Sequence, residues 1–233
     1  MTVDRRPLVI AVDGPAGSGK SSVSRGVASR LDLRYLDTGA MYRAVTWGLL
    51  EAGVVVEDSE QVAREAGAVR ITSTTDPRNP GIEVDGRDVS SQIRSAEVTA
   101  AVSAVSAVPS VRALLLELQR EAVLGALRDG TGIVVEGRDI GSVVLPDADL
   151  KIYLTADPEE RARRRSAEAT GDGAGPGGLA ATQQRLLERD AKDSSRAVAP
   201  LAVAPDATVL DTTDMSLPEV IDVIVGLAQV KAT

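Results

Sequence analysis

The chain has 233 residues, of which 43% are hydrophobic, and this length allows one compact core with an insertion. It contains no cysteine and no histidine, so disulfides, thiolate zinc sites, cysteine nucleophiles and imidazole bases are excluded. The net charge of −8 argues against a general nucleic-acid-binding protein. The sequence has neither the pattern of a signal peptide nor an apolar run of about 18 residues, so we expect a cytoplasmic protein without a membrane span.

The chain begins with a predicted strand, a glycine-rich loop and a helix. Residues 8–12 are apolar and predict a buried strand, and residues 22–31 have helical spacing. Between them, Gly-Pro-Ala-Gly-Ser-Gly-Lys-Ser fits the phosphate-binding loop G-x-x-x-x-G-K-[ST]. In such a loop the backbone amides face anionic oxygens, Lys20 reaches the β- and γ-phosphates, and Ser21 ligates Mg²⁺. The residues predicted to bind nucleotide phosphates are Gly14, Pro15, Ala16, Gly17, Ser18, Gly19, Lys20, Ser21 and Ser22.

The middle of the chain changes character. The elements predicted there are a short strand at 34–36, a helix at 40–52, a strand at 69–73 and a hairpin at 82–89 around Asp85-Gly86. Such a small β element cannot bury a core alone, so we interpret residues 54–96 as an insertion packed on the main body.

The second half alternates helices and strands. The predicted elements are helices at 97–107 and 109–128, strands at 133–136 and 151–154, a helix that opens at Asp157, a helix at 179–191, a strand at 208–211 and a helix from 216 to about 229. Residues 171–178 hold five glycines and one proline, which predicts a mobile loop tip.

Strands that alternate with helices predict an α/β fold with a mostly parallel sheet covered on both faces. Ligands bind such sheets at the carboxyl ends of the strands. Four polar groups follow predicted strands: the Gly14 loop, Asp37-Thr38-Gly39, Gly137-Arg138-Asp139 and Asp211-Thr212. Any one of them is compatible with an ordinary turn, but all four together favour a site.

Basic residues cluster on the two helices that flank the glycine-rich tip. They include Arg161 and Arg165, one turn apart, and Arg189 and Arg196 further on. Two basic helices joined by a flexible tip predict a lid that places arginines on phosphates and excludes water. Because acidic residues are interspersed, a solvated helical hairpin is the alternative.

Two further groups suit an acceptor substrate. Tyr42 and Arg43 can address a sugar and a phosphate, although a tyrosine such as Tyr42, taken alone, is more often a contact between helix and core. Arg138 and Asp139 follow a strongly apolar strand, where a structural ion pair is the alternative.

Four segments together resemble the bacterial cytidylate kinase family: the phosphate loop, YLDTGAMYR at 35–43, GRDIGSVV at 137–144 and RDAKDSSRAVAPL at 189–201. The resemblance runs from about residue 7 to residue 230. It implies a P-loop three-layer fold with a five-stranded parallel sheet, and an enzyme that phosphorylates CMP and dCMP with ATP and Mg²⁺, as a monomer. The three parts that it implies are a core of 1–37, 109–156 and 197–233, an acceptor-nucleotide domain of 38–108 that holds the insertion with its small β-sheet, and a helical lid of 157–196.

The resemblance also implies roles for individual residues. Thr38, Tyr42 and Arg43 face the acceptor nucleotide; Ser103, Arg112 and Asp139 read cytosine; Arg138 binds the acceptor phosphate; Arg189 and Asp193 hold the ribose; Arg196 lies near the phosphates. The residues implied in catalysis are Lys20, Arg138, Arg161, Arg165, Arg189 and Arg196. A carboxylate at Asp139 accepts from the cytosine amine and repels the uracil carbonyl. Thr38 stands where the family often has serine, and the hydroxyl is kept.

The lack of histidine agrees with phosphoryl transfer to a phosphate, because that nucleophile is already ionised and needs no general base. A kinase of another small acceptor, such as a different nucleoside monophosphate or shikimate, and an inactive nucleotide-binding module stay open from the residues alone. A GTPase switch is excluded, because Asn79 is the only asparagine and Pro80 follows it, so the guanine-reading Asn-Lys-x-Asp motif is missing.

Overall fold

The computed structural model describes residues 7–169, 178–196 and 198–231. The first half contains β1 (Val9–Asp13), α1 (Lys20–Leu31), β2 (Arg34–Asp37), α2 (Thr38–Glu51), α3 (Ser59–Glu65), β3 (Ile71–Ser73), β4 (Ile82–Val84), β5 (Arg87–Asp88) and α4 (Ala96–Val105). The second half contains α5 (Pro109–Arg128), β6 (Ile133–Glu136), β7 (Leu150–Thr155), α6 (Pro158–Ala169), α7 (Gly178–Ser194), β8 (Thr208–Asp211) and α8 (Leu217–Lys231).

The main sheet has five parallel strands in the order β2-β6-β1-β7-β8. Glu136 at the end of β6 is in register with Val12 on one side and with Asp37 on the other. The phosphate loop after β1 and the segments after β2 and β6 therefore start at one edge of the sheet. The predicted α/β fold with a five-stranded parallel sheet is confirmed.

Helices cover both faces of this sheet and make a three-layer structure. One apolar cluster joins the sheet to α2 and α5, and the other joins it to α1 and α8. The central strands are buried on both sides, and Ile10, Ala11 and Val12 have no exposed surface. This double burial explains why β1 is a continuous apolar run rather than an alternating one.

Residues 54–96 form a separate three-stranded antiparallel sheet, β3-β4-β5, with α3 beside it. Buried residues of this segment, such as Ile82 and Val84, belong to the same apolar cluster as α2 and α5. The backbone amide of Tyr35 on β2 donates to the carbonyl of Thr75 at 2.9 Å, so the segment is also hydrogen-bonded to the edge of the main sheet. The predicted hairpin at 82–89 is confirmed.

Helix α3 and three short turns were not predicted; the turns are the 3₁₀ turns Ala66–Ala68 and Gln92–Arg94 and the π-helical turn Ile140–Val144. Helix α3 has seven residues and buries only Val62, so it lacks the repeated apolar positions that identify a helix. Residues Ile140–Val144 form a π-helical turn in a stretch that follows the strand β6. The predicted loop tip at 171–178 lies outside the described residues, except for Gly178, which begins α7.

Helices α4 and α5 both bury apolar side chains in the core. Val102 and Val105 on α4 and Val111 and Leu115 on α5 are buried. Among the described residues no single helix is long and apolar enough to cross a membrane, although α4 and α5 pass a test of length and composition as a pair bent by 100°.

Candidate active site

The phosphate loop is shaped by glycines at positions that no side chain can occupy. A Cβ at Gly14 would lie 2.1 Å from the carbonyl oxygen of Leu154 on β7, and the φ angle there is 147°. Gly19 has a φ angle of 85° and is the residue before α1. Because Gly19 has no side chain to cap the helix, the first amides of α1 are left to face the cleft, where they favour an anion.

Lys20 is the first residue of α1 and is buried, with 7% of its surface exposed. Its Nζ donates to the carbonyl of Pro15 at 2.8 Å, across the loop. Burial and the neighbouring Arg138 lower the pKa of Lys20, while Glu136 acts in the opposite direction. An anion in the loop would restore the preference for the charged ammonium, so this lysine is placed to bind phosphate.

Glu136 is a functional candidate that sequence analysis missed. It is buried at the end of β6, and Ser21 Oγ donates to its Oε2 at 3.1 Å. The Tyr35 hydroxyl donates to the other carboxylate oxygen. Burial and the nearby Asp37 raise the pKa of Glu136. The signal that could have found it is an acidic residue at the carboxyl end of a buried apolar strand next to the phosphate-loop strand.

Arginines surround the cleft above the loop. The cleft has a volume of about 870 Å³, its open mouth included. Its cationic lining residues are Lys20, Arg43, Arg94, Arg138, Arg165 and Arg189. Arg94 was not predicted as a site residue, because it lies in a short 3₁₀ turn, Gln92–Arg94, with no motif around it. So many cations in one cleft require an anionic ligand to offset their repulsion.

Burial and the crowding of cations lower the pKa of two of these arginines. Burial, followed by repulsion from Arg189 and Arg165, lowers the pKa of Arg43 to about 9. Burial and repulsion from Arg138 lower the pKa of Arg189 to about 10. The Nε of Arg189 is buried without a hydrogen-bond partner among the described residues. A buried donor of this kind is suited to an incoming oxygen.

Arg43 is held by the 3₁₀ turn Gln92–Arg94 and by α4. Its Nη1 donates to the carbonyl of Ile93 at 3.0 Å and to Thr99 Oγ1 at 2.9 Å. Thr38, at the start of α2, is placed differently, because its hydroxyl donates to the carbonyl of Glu136 at 2.7 Å. Thr38 therefore holds the end of β6 and does not line the cleft.

Asp193 joins α7 to the loop after β6. It is buried, and it accepts from Arg138 Nε at 3.1 Å and from Arg196 Nη2. Arg138 and Asp139 do not pair with each other. Each forms an ion pair with a different element, so the predicted alternative of a structural ion pair is present at both residues.

Asp139 and Arg112 form a buried ion pair beside the arginine-lined cleft. The two side chains are 8% and 9% exposed, and Arg112 Nη2 donates to Asp139 Oδ2. The Arg112 guanidinium also lies over the Tyr42 ring, 5.7 Å from its centroid. Burial raises the pKa of Asp139, and Arg112 opposes this rise. The group combines a carboxylate acceptor, a forked donor and an aromatic face, which suits a polar planar ring.

Asp13 holds the backbone that carries Asp139. Its carboxylate accepts from the amides of Ile140 at 2.9 Å and Gly141 at 2.8 Å. Burial raises its pKa to about 6, although these two hydrogen bonds act against the rise. Asp13 is therefore the direct link between the end of β1 and the π-helical turn after β6.

Arg161 lies behind the phosphate loop and does not line the cleft. It donates to the carbonyls of Ala156 at 3.1 Å and Ala16 at 3.0 Å, and to the carboxylate of Asp190. Asp190 in turn accepts from the Ala16 amide at 3.0 Å. We name Ala16, Arg161 and Asp190 the clasp, since they join α6 and α7 to the loop.

A family model described as "Cytidylate kinase" matches residues 10–230. The chain belongs to the cytidylate kinase family. The protein named "Cytidylate kinase" from Streptomyces griseus is 53% identical over 227 residues, which cover 97% of this chain and 95% of that protein. The one of the same name from Streptomyces coelicolor is 54% identical over 224 residues, which cover 96% and 94%. A solved structure of an uncharacterized protein from Eubacterium ventriosum aligns with a TM-score of 0.51 at 11% identity over 97% of this chain and 99% of that one, which supports the fold alone.

The predicted site residues of this cytidylate kinase family member do not all line one cleft. The cleft brings together the phosphate loop, Arg43, Arg138, Arg165 and Arg189. Arg112, Asp139 and Tyr42 form the neighbouring group, and Ser103 is half-buried on α4. Ser22 is exposed on α1 just beyond the loop. Arg161 and Arg196 are the predicted catalytic residues that do not line the cleft. Arg161 belongs to the clasp, and Arg196 pairs with Asp193.

Proposed function

We propose that this protein transfers the γ-phosphoryl group of ATP to CMP, forming CDP and ADP, and that it also accepts dCMP. The observation that carries the proposal, beyond membership of the family, is the position of the buried Asp139–Arg112 pair next to an arginine-lined cleft that ends on the phosphate loop. A base-reading pair next to a phosphate-binding cleft suits an acceptor with a base at one end and a phosphate at the other.

The donor phosphates are proposed to lie in the loop of residues 14–22. The free amides at the start of α1 and the ammonium of Lys20 would bind the β- and γ-phosphate oxygens. Lys20 stabilises the charge that moves toward the leaving ADP, and its buried position makes that interaction stronger than it would be in water.

Mg²⁺ fits the donor side of this site. Among the described residues no group of three or more acidic side chains is placed to hold a metal ion alone. Ser21 and Glu136, 3.1 Å apart, supply a hydroxyl and a carboxylate, and the remaining ligands would come from phosphates and water. When bound, Mg²⁺ neutralises phosphate charge; Ser21 and Glu136 would hold it beside Lys20.

The acceptor is proposed to lie between α2, α4, α5 and the loop after β6. Arg43, Arg138 and Arg189 would bind its phosphate, with Arg94 as an addition that the structure suggests. Asp193 and Arg189 would hold the ribose, and Asp139 would accept from the cytosine amine. Uracil presents a carbonyl at that position, so its oxygen would face the Asp139 carboxylate without a proton between them.

The chemistry then needs only positioning and charge stabilisation. An oxygen of the CMP phosphate attacks the γ-phosphorus, a new P–O bond forms, and the bond to the bridging oxygen of ADP breaks. Arg165 and Arg189, from α6 and α7, would stabilise the oxygens in transfer and exclude water. We assign Arg161 a positioning role in the clasp rather than contact with phosphate.

The division into a core, an acceptor domain of 38–108 and a lid of 157–196 remains part of this proposal. So does the monomeric state. We also propose a cytoplasmic location, because the proposed substrates ATP and CMP are present in the cytoplasm.

Replacement of Lys20 tests the donor side. We expect Lys20→Ala to lower kcat for ADP release with ATP, Mg²⁺ and CMP by about 10³-fold, because one buried charge-stabilising donor is lost. Arg30→Ala is the matched control on the same helix, since the Arg30–Asp222 pair is exposed and contributes little. A Lys20→Ala protein with the turnover of Arg30→Ala contradicts the assignment.

A further inference from the structure

Ser106 is the residue that follows α4, and it lies between three residues proposed to bind CMP. It is buried, with 4% of its surface exposed. Arg196 Nη2 donates to the Ser106 hydroxyl at 2.9 Å, and Arg112 Nη1 donates to the Ser106 carbonyl at 3.4 Å. The backbone carbonyl of Ser103 accepts from the Ser106 hydroxyl at 3.2 Å. Ser106 thus contacts the base-reading Arg112 through its backbone carbonyl, and the far end of the lid segment through its hydroxyl.

The direction of these hydrogen bonds is fixed by the chemistry of a hydroxyl. A serine has one proton to donate and two lone pairs to accept with. The proton is directed at Ser103, so the lone pairs remain for the guanidinium of Arg196, which can only donate. The order Arg196 to Ser106 to Ser103 leaves no donor facing a donor, and each bond polarises the next.

Arg196 is held from two sides by residues of different elements. Its Nη2 also donates to the carboxylate of Asp193, which lies on α7 three residues earlier. The Asp193 contact is local and ties Arg196 only to its own segment. The Ser106 contact spans 90 positions of the sequence and ties Arg196 to the junction of α4 and α5. The side chain of Arg196 is 11% exposed, so water replaces a lost partner poorly.

We infer that Ser106 is a positioning residue for the acceptor, whose hydroxyl holds Arg196 against the CMP pocket. This inference rests on the proposed function, since it assumes that Arg196 contacts the bound CMP. Ser106 touches neither the reacting atoms nor, through its side chain, the base-reading pair. Its hydroxyl therefore affects how tightly any pyrimidine monophosphate binds, and not which base is chosen.

Kinetics of four variants test this role. Ser106→Ala removes the acceptor for Arg196, and Ser106→Cys replaces it with a weakly accepting sulfur of similar volume. Ser106→Thr keeps the hydroxyl. Ser110→Ala is the matched control, because Ser110 is exposed at the start of α5. For each protein, kcat and KM are measured with CMP, UMP and ATP, and folding is followed by thermal unfolding.

We expect Ser106→Ala and Ser106→Cys to raise KM for CMP about tenfold, the loss of one hydrogen bond to a charged group, with KM for ATP unchanged. The ratio of kcat/KM for CMP over UMP stays at the wild-type value, because Arg112 contacts the Ser106 backbone, which every variant retains. Ser106→Thr and Ser110→Ala behave as the wild type. A merely structural role would lower the unfolding temperature without this selective change in KM.

Three results would overturn the inference. The first is a KM for CMP that is unchanged in both Ser106→Ala and Ser106→Cys. The second is a rise in KM for ATP equal to that for CMP, and the third is a Ser106→Thr protein that is no better than Ser106→Ala. A wild-type protein without CMP turnover is distinguishable from these, because it overturns the proposed function itself and this inference with it.

Discussion

Asp139 is the carboxylate that we propose selects cytosine over uracil. It is buried, its pKa is raised by that burial, and Arg112 supplies the charge that keeps it compatible with the pocket. A neutral amide at this position offers a donor as well as an acceptor, so it can hydrogen-bond to a uracil carbonyl.

Asp139→Asn is therefore expected to reduce the preference for CMP over UMP, measured as the ratio of kcat/KM, by about tenfold or more. Asp147→Asn serves as its control, because Asp147 is exposed in the turn before β7. Equal discrimination by the two variants would show that another residue reads the base.

Motif chemistry was sufficient for some residues and not for others. Lys20 and Asp139 could be predicted because each stands in a segment where neighbours at fixed spacing carry the signal. Glu136, Arg94 and Ser106 could not, because their importance comes from partners that are distant in sequence. Ser106 meets Arg196 only after the chain has folded.

At the scale of elements, the π-helical turn after β6 depends on one acid from another strand. Asp13 at the end of β1 accepts from two amides of that turn and so holds the backbone that directly follows Arg138 and Asp139. Burial raises the pKa of Asp13 from 3.8 to about 6, so the folded protein holds this proton more tightly than the unfolded chain does.

This difference predicts a pH dependence of stability. Since the folded state binds the proton more tightly, Asp13 makes the free energy of unfolding fall as the pH rises from about 4 through about 6. Between about pH 5 and about pH 7.5, the free energy of unfolding of the wild type should fall by about 1 kcal/mol more than that of Asp13→Asn. This range lies above the isoelectric point of the protein. Urea unfolding of both proteins at the two pH values measures this; parallel changes would contradict it.

The clasp predicts how α6 and α7 depend on the phosphate loop. Arg161→Ala would leave the half-buried Asp190 without its cation, which loosens the hold of both helices on Ala16. We expect hydrogen exchange in α7 to accelerate about tenfold and KM for ATP to rise about tenfold, because donor binding then has to order the lid.

Arg163→Ala is the matched control on the same helix, since Arg163 is 60% exposed and pairs only with Glu159 and Glu160 on α6 among the contacts shown by the described residues. A faster α7 exchange in both variants would mean that helix α6 itself, and not the clasp, has been weakened.

Some helices and strands could be predicted from the spacing of apolar residues, and others could not. The buried strands and the long helix α5 could be predicted because their apolar spacing is strong. The cap at Asp157 was also correct, and its carboxylate accepts from the amide of Glu159 at 2.8 Å. Helix α3 was missed because its stability comes from the cap at Asp58 and one buried valine rather than from an apolar face.

At the scale of the whole molecule, the parallel sheet explains why one site arises from distant segments. The chain returns to the same edge after β1, β2 and β6, and these returns deliver the phosphate loop, the start of α2 and the Gly137-Arg138-Asp139 segment. The small second sheet is joined to this body by a shared core and by the Tyr35–Thr75 hydrogen bond. A parallel sheet covered on both faces could be predicted from the order of elements, whereas the strand order and these joining contacts could not.

The most direct test of the account is a coupled ADP-release assay with ATP–Mg²⁺ and a panel of acceptors: CMP, dCMP, UMP, AMP, GMP and shikimate. We expect turnover with CMP and dCMP, little with UMP and none with the other acceptors, because we propose that the Asp139–Arg112 pair reads the base of the acceptor. Turnover with AMP, GMP or shikimate and none with CMP would contradict the account.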